Sequence, residues 1–96
     1  MRNEILEPGT IVQHFKREGV SKDIRELSDQ YLYRVIGVAL DTTTKNKVVV
    51  YQALYNVENV ECSLFVRPLD EFMSTIDKTR YPNIQSEYRF IKYTGD

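Results

Sequence analysis

Three residue types in this chain have chemistry to offer: its one histidine, His14; its one cysteine, Cys62; and the arginines Arg34, Arg67 and Arg89, which fall inside stretches that read as β-strand. His14 has no second imidazole and no close acidic pair with which to build a ligand set, so no bound metal and no cofactor are expected, and it reads as a hydrogen-bonded strand residue. One thiol permits neither an intramolecular disulfide nor a four-ligand zinc site, which fits a reducing, cytoplasmic compartment. A nucleophile and base pair of Cys62 with His14 would also need an oxyanion hole and an orienting third group. Cys62 therefore reads as a small, inert buried hydrophobe. The glycines Gly9, Gly19, Gly37 and Gly95 are too scattered to cradle a phosphate in one loop, and the carboxylates form no recognisable acid–base pair. An enzyme ranks third among the readings, behind two kinds of interaction protein.

The arginines carry the leading one. A guanidinium in a strand interior must reach water or meet an acid, an aromatic face or a bound anion. Glu61, Asp70, Glu71 and Glu87 are available as ion-pair partners, and such pairs on small folds commonly do no more than cover a sheet edge. If two or more arginines instead converge with tyrosines, the pairing of planar cation and aromatic ring suits a stacked base, a phosphate, a carboxylate terminus or a Pro-rich peptide. The candidate ligand-binding set is His14, Tyr33, Arg34, Tyr51, Tyr55, Arg67 and Arg89. The function expected is a non-enzymatic binding module that uses a Tyr/Arg surface for a nucleic-acid, nucleotide, peptide or other small anionic ligand. Its rival is an accessory protein–protein interaction domain, a homodimer being one form of it.

The elements that must position these residues follow from local pattern. Ninety-six residues, 42% hydrophobic and 28% charged, are expected to form a single domain over 1–96 with its core in 10–93. The balance of 13 Lys+Arg against 14 Asp+Glu excludes the strongly basic surface of a sequence-independent nucleic-acid binder. No apolar run approaches a membrane span, and the acids among the first residues are unlike a signal peptide, so no membrane partner is expected. After the Pro8-Gly9 turn, Thr10 to Lys16 alternates as a first strand. Residues 17–30 read as an inserted loop or short surface helix, with Ser21 as N-cap and Val20, Ile24 and Leu27 as its apolar stripe. Tyr31 to Leu40 and Lys47 to Tyr55 form a hairpin about the polar turn Asp41 to Asn46. Strict alternation places Leu32, Ile36, Val38 and Leu40 on one face with Arg34, and Tyr31, Tyr33, Val35, Gly37 and Ala39 on the other; Val49, Tyr51, Ala53 and Tyr55 would join the tyrosine face. Glu61 to Arg67 gives a fourth strand. Pro68 then opens a helix of about ten residues whose Leu69, Phe72, Met73 and Ile76 recur at helical spacing. Ser86 to Tyr93 supplies a fifth strand. The fold expected is mainly β with one or two short helices, a small five-stranded antiparallel barrel or roll of the Src-homology-3 type.

Taken jointly, Pro8-Gly9, His14-Phe15-Lys16, Tyr33 to Ala39, Val49 to Tyr55, Val66-Arg67-Pro68-Leu69 and Phe72 resemble the bacterial family catalogued as domain of unknown function 1653, in the family's order and over nearly the whole chain. The resemblance implies a small barrel or roll in a bacterial cytoplasmic protein and brings no established activity. The chain departs from the pattern in three places. Phe65 stands where the family commonly has Trp before Val-Arg-Pro, roughly a dozen residues are inserted after His14-Phe15-Lys16, and Leu40 or Asp41 occupies a position often filled by His.

Overall fold

A computed structural model describes residues 2–56 and 63–95. It contains the strands β1 Ile11–His14, β2 Leu32–Leu40, β3 Lys47–Ala53, β4 Leu64–Pro68 and β5 Phe90–Lys92, with the short helices α1 Lys22–Leu27 and α2 Leu69–Phe72. Two 3-10 turns, Arg2–Leu6 and Phe15–Gly19, flank β1. All the pairings are antiparallel and the strand order is β4-β3-β2-β1-β5, so the class expected, mainly β with two short helices, is the one found. The β2–β3 hairpin turns where its polar residues predict. The Asp41 carboxylate accepts from the backbone N–H groups of Thr43 at 2.9 Å and Thr44 at 3.3 Å, an Asx turn, and Lys45 takes the left-handed conformation that closes it.

Strict alternation along β2 does not hold. Tyr33 faces Ala53 and Val35 faces Tyr51, but the register then slips at Ile36, and Gly37 faces Val50 while Val38 faces Val49. One extra residue in a strand is a β-bulge, and it exchanges the two faces for every residue beyond it. Val38 and Leu40 consequently lie on the tyrosine side, and Gly37 and Ala39 on the other. The tyrosine side is also the interior: Tyr33, Val35, Val49, Tyr51 and Ala53 are buried there. Aromatic rings bury 150–250 Å² each, so the face that collects them gains more from burial than an aliphatic one. The opposite face leaves Val66 64%, Leu64 50% and Ile36 44% exposed.

The sheet is rolled. β4 and β5 end the strand order, four spacings apart, or about 19 Å in a flat sheet. Arg67 Cζ on β4 nevertheless lies 5.6 Å from the centroid of the Phe90 ring on β5. Phe72, carried over the opening by α2, stacks on Phe90 with centroids 4.1 Å apart and planes 10° apart, and both rings are fully buried. Tyr51 meets both, at 5.4 Å from Phe72 and 5.6 Å from Phe90.

Several elements are shorter than their patterns predict, each because a distant segment claims backbone groups. β1 stops at His14, whose Nδ1 accepts from Lys16 N–H and turns the chain into the 3-10 turn. α2 has one turn, not about ten residues, and Pro68 is its N-cap. Ser74 Oγ donates to Glu71 O at 2.6 Å, Ser74 O accepts from Arg89 N–H, and Ile76 N–H donates to Glu87 O. Residues that serve 87–89 as strand neighbours cannot also continue a helix. β5 keeps three residues of the eight expected, and Arg89 precedes it. Ser21 caps α1 as its type predicts, accepting from Ile24 N–H, yet Ile24 and Leu27 are 49% and 89% exposed and form no buried stripe. The expected start of the fourth strand at Glu61 and Cys62, and every reading of the Cys62 thiol, fall outside the described residues.

Candidate functional site

One residue from each strand reaches the inside of the roll near Phe90. His14 ends β1 and pairs directly with Phe90 of β5, so their side chains share the interior face. Tyr33, Tyr51 and Arg67 arrive from β2, β3 and β4 on the same face, because Tyr51 pairs with Phe65 and Arg67 with Val49.

The arginine is held from three sides. Its Nε donates to Tyr51 Oη at 3.2 Å, its Nη1 to Glu71 Oε1 at 3.3 Å, and its guanidinium lies against the Phe90 ring. The side chains of Arg67 and Glu71 remain 27% and 49% exposed, so the pair sits at the mouth of the roll and not within it. Such fixing removes most of the rotamer freedom that a ligand would otherwise have to freeze.

His14 is 7% exposed and edge-on to Phe90, with centroids 5.1 Å apart. Burial, reinforced by the positive charges of Arg67, Lys16 and Arg89, lowers its pKa to about 3. The imidazole is therefore neutral at pH 7. Tyr33 and Tyr55 share a hydroxyl–hydroxyl hydrogen bond of 2.8 Å. Burial, followed by that bond, pushes the Tyr33 phenol far above its ordinary range; burial also raises Tyr55. Both hydroxyls stay protonated through the physiological range.

Six of the seven candidate residues are thus gathered around one aromatic cluster, though not in one layer. Tyr33 and Tyr51 are core residues whose hydroxyls are engaged, Tyr55 is half-buried, and Arg67 reaches the mouth. Arg89 is half-buried beside Ser74, to whose Oγ its Nε donates at 3.2 Å, and its charge reaches the His14 ring. Arg34 stands apart: it pairs with Gln52 and Ile11 and is exposed on the outer face. Two further members carry the geometry without having been singled out as candidates. Phe90 is the ring on which His14 and Arg67 both bear. Tyr31 lies outside β2 in a left-handed conformation, φ 67°, with its ring 6.0 Å from both His14 and Tyr55. A bulky residue held there costs of order 1–3 kcal/mol, and such strain recurs at ligand sites.

The chemistry on offer is donation. Guanidinium N–H groups, a neutral imidazole N–H and phenolic O–H groups gather about Phe90, opposed by one carboxylate, Glu71. Among the described residues no group of three His, Cys, Asp or Glu side chains is placed to hold a metal ion.

Fold and site together define a small rolled β protein with an arginine fixed at the mouth of an aromatic interior. The family model of a protein of unknown function, DUF1653, matches residues 10–92, and the chain belongs to that family. No curated protein and no solved structure matches it. Among the described residues no helix is long and apolar enough to cross a membrane.

Proposed function

We propose that this protein is a non-enzymatic binding module of the bacterial cytoplasm, built as one Src-homology-3-like unit, whose Arg67 mouth takes a nucleic-acid, nucleotide or peptide ligand. The observation that carries this reading is the fixed guanidinium: Tyr51, Glu71 and Phe90 hold Arg67 in place while its outer edge stays open. Tyr55 and Tyr31, half-buried beside one another and next to Tyr33 and His14, offer aromatic surface for a base or a side chain. The strand order, the bulge in β2 and the short helix between β4 and β5 support the barrel-like unit. The single cysteine supports the compartment.

Titration of the protein with single-stranded oligonucleotides, mononucleotides and a peptide library tests it. Binding by one class, weakened about tenfold by Arg67→Gln and less by Tyr51→Phe, with melting temperatures within a few degrees of the parent, is the expected result. For a nucleic-acid ligand, Arg67→Gln should also lower the salt slope by about one unit. No binding in any class contradicts the proposal. A second reading rests on the outer face, where exposed Val66, Leu64 and Ile36 are of the kind that meet another protein, or a second copy of this one. A sedimentation weight that doubles with concentration and reverts to the monomer in Val66→Lys would favour it.

A further inference from the structure

We infer that the mouth of the roll is a seat for an oxyanion, a carboxylate or a phosphate, held between the Nε2–H of His14 and the Nη2 edge of Arg67. The inference rests on the binding-module reading and names the group its ligand must present.

His14 fixes the polarity of the seat. Its Nδ1 accepts from Lys16 N–H at 3.2 Å, so in the neutral ring the single proton sits on Nε2, which becomes a donor. Nε2 has no acceptor among the described residues. It is not sealed either: among the described residues the side-chain nitrogen both shut from solvent and without a partner is Arg25 Nε, in α1. A buried imidazole thus keeps one unused donor that is not wholly shut from solvent.

Arg67 supplies the second donor. Its Nε is given to Tyr51 and its Nη1 to Glu71, while Nη2 meets no acceptor among the described residues. Both groups bear on Phe90, and of all the charges felt by the His14 ring that of Arg67 is the strongest. Tyr51 Oη accepts from Arg67 and keeps its own hydrogen to give. A ligand that brings donors or a cation is left with the Glu71 carboxylate, already paired with Arg67, since Nδ1 is occupied. A group with two or three acceptor oxygens answers every open valence. The charges of Arg67, Lys16 and Arg89 exceed that of Glu71 by two, so a negatively charged group is also favoured.

The test uses the full chain labelled with 15N and the nitrogen–proton correlations of its only imidazole, with sodium acetate and inorganic phosphate as probes and chloride at matched ionic strength as control. In the free protein at pH 7 the spectrum should report the Nε2–H tautomer. Acetate or phosphate should shift that signal and the Arg67 side-chain signal along one saturable curve, and chloride should not. The anion saturating at lower concentration identifies the source. Arg67→Lys, which keeps the charge and gives up the fork, should raise the saturating concentration at least tenfold while leaving the tautomer unchanged, a check that the ring has not moved. A proton found on Nδ1, or a His14 signal that neither anion moves, overturns the inference. Oligonucleotides or peptides that bind while both anions leave His14 unmoved would sink the oxyanion seat and spare the module; absence of binding by all of them would sink the module itself.

Discussion

At the scale of single residues, His14 is where burial and charge leave the clearest thermodynamic mark. Its folded pKa lies near 3, against about 6.5 in an unfolded chain, because burial and the charges of Arg67, Lys16 and Arg89 all oppose the imidazolium. Between those values the unfolded chain binds a proton that the folded one refuses, so stability rises with pH across the window and is lost as pH falls through 6.5 toward 3. The contribution should amount to roughly 2–3 kcal/mol between pH 7 and pH 4, from about 1.4 kcal/mol per pKa unit less an allowance for partial solvation. Urea midpoints across that range measure it, and His14→Gln, which cannot titrate, should flatten the His14 share of the slope. Identical slopes in the two proteins would mean that His14 titrates normally. Sequence reading placed His14 correctly on a strand as a hydrogen-bonded residue. It had no means to see the Arg67 and Arg89 charges, which reach the ring only after the sheet rolls.

At the scale of elements, what is local was legible and what is long-range was not. The β2–β3 hairpin, the Asp41 turn, the Ser21 cap and the start of α2 after Pro68 depend on neighbours within a few residues, and each stands where its residues predict. The bulge at Ile36 has no such signature, so alternation assigned Val38 and Leu40 to the wrong face. The end of α2 was equally hidden, because Ser74 and Ile76 give their backbone groups to residues 87–89. Arg17 is the strongest case. It opens the charged insertion and gives no sign of burial, yet it is 1% exposed. Its guanidinium donates to the carbonyls of Arg25, Ser28 and Gln30 and lies 5.6 Å from the Tyr93 ring centroid. α1 buries no side chain of its own, so this clamp closes the insertion on itself, while Glu18, accepting from the N–H groups of Gln85 and Ser86, ties it to the chain before β5. Arg17→Met keeps much of the volume and strands those carbonyls, and should cost about 2–4 kcal/mol. Hydrogen exchange at residues 20–30 should accelerate more than in β3. Uniform acceleration, or a loss below 1 kcal/mol, would show that the insertion is held by something else.

At the scale of the whole molecule, rolling makes the site. In a flat sheet Arg67 and His14 would stand near opposite edges; coiling around Tyr51, Phe72 and Phe90 brings both onto the Phe90 ring while Arg34, one bulge away on the outer face, is left behind. The same aromatic burial that stabilises the fold therefore sets the geometry of the mouth. Entry of ligands at that mouth is read from backbone and side-chain chemical shifts as oligonucleotide, mononucleotide or peptide is added. The largest changes should fall on His14, Tyr31, Tyr55, Arg67 and Arg89 and shrink in Arg67→Gln. Changes confined to Ile36, Val50, Leu64 and Val66, on the outer face, would contradict it.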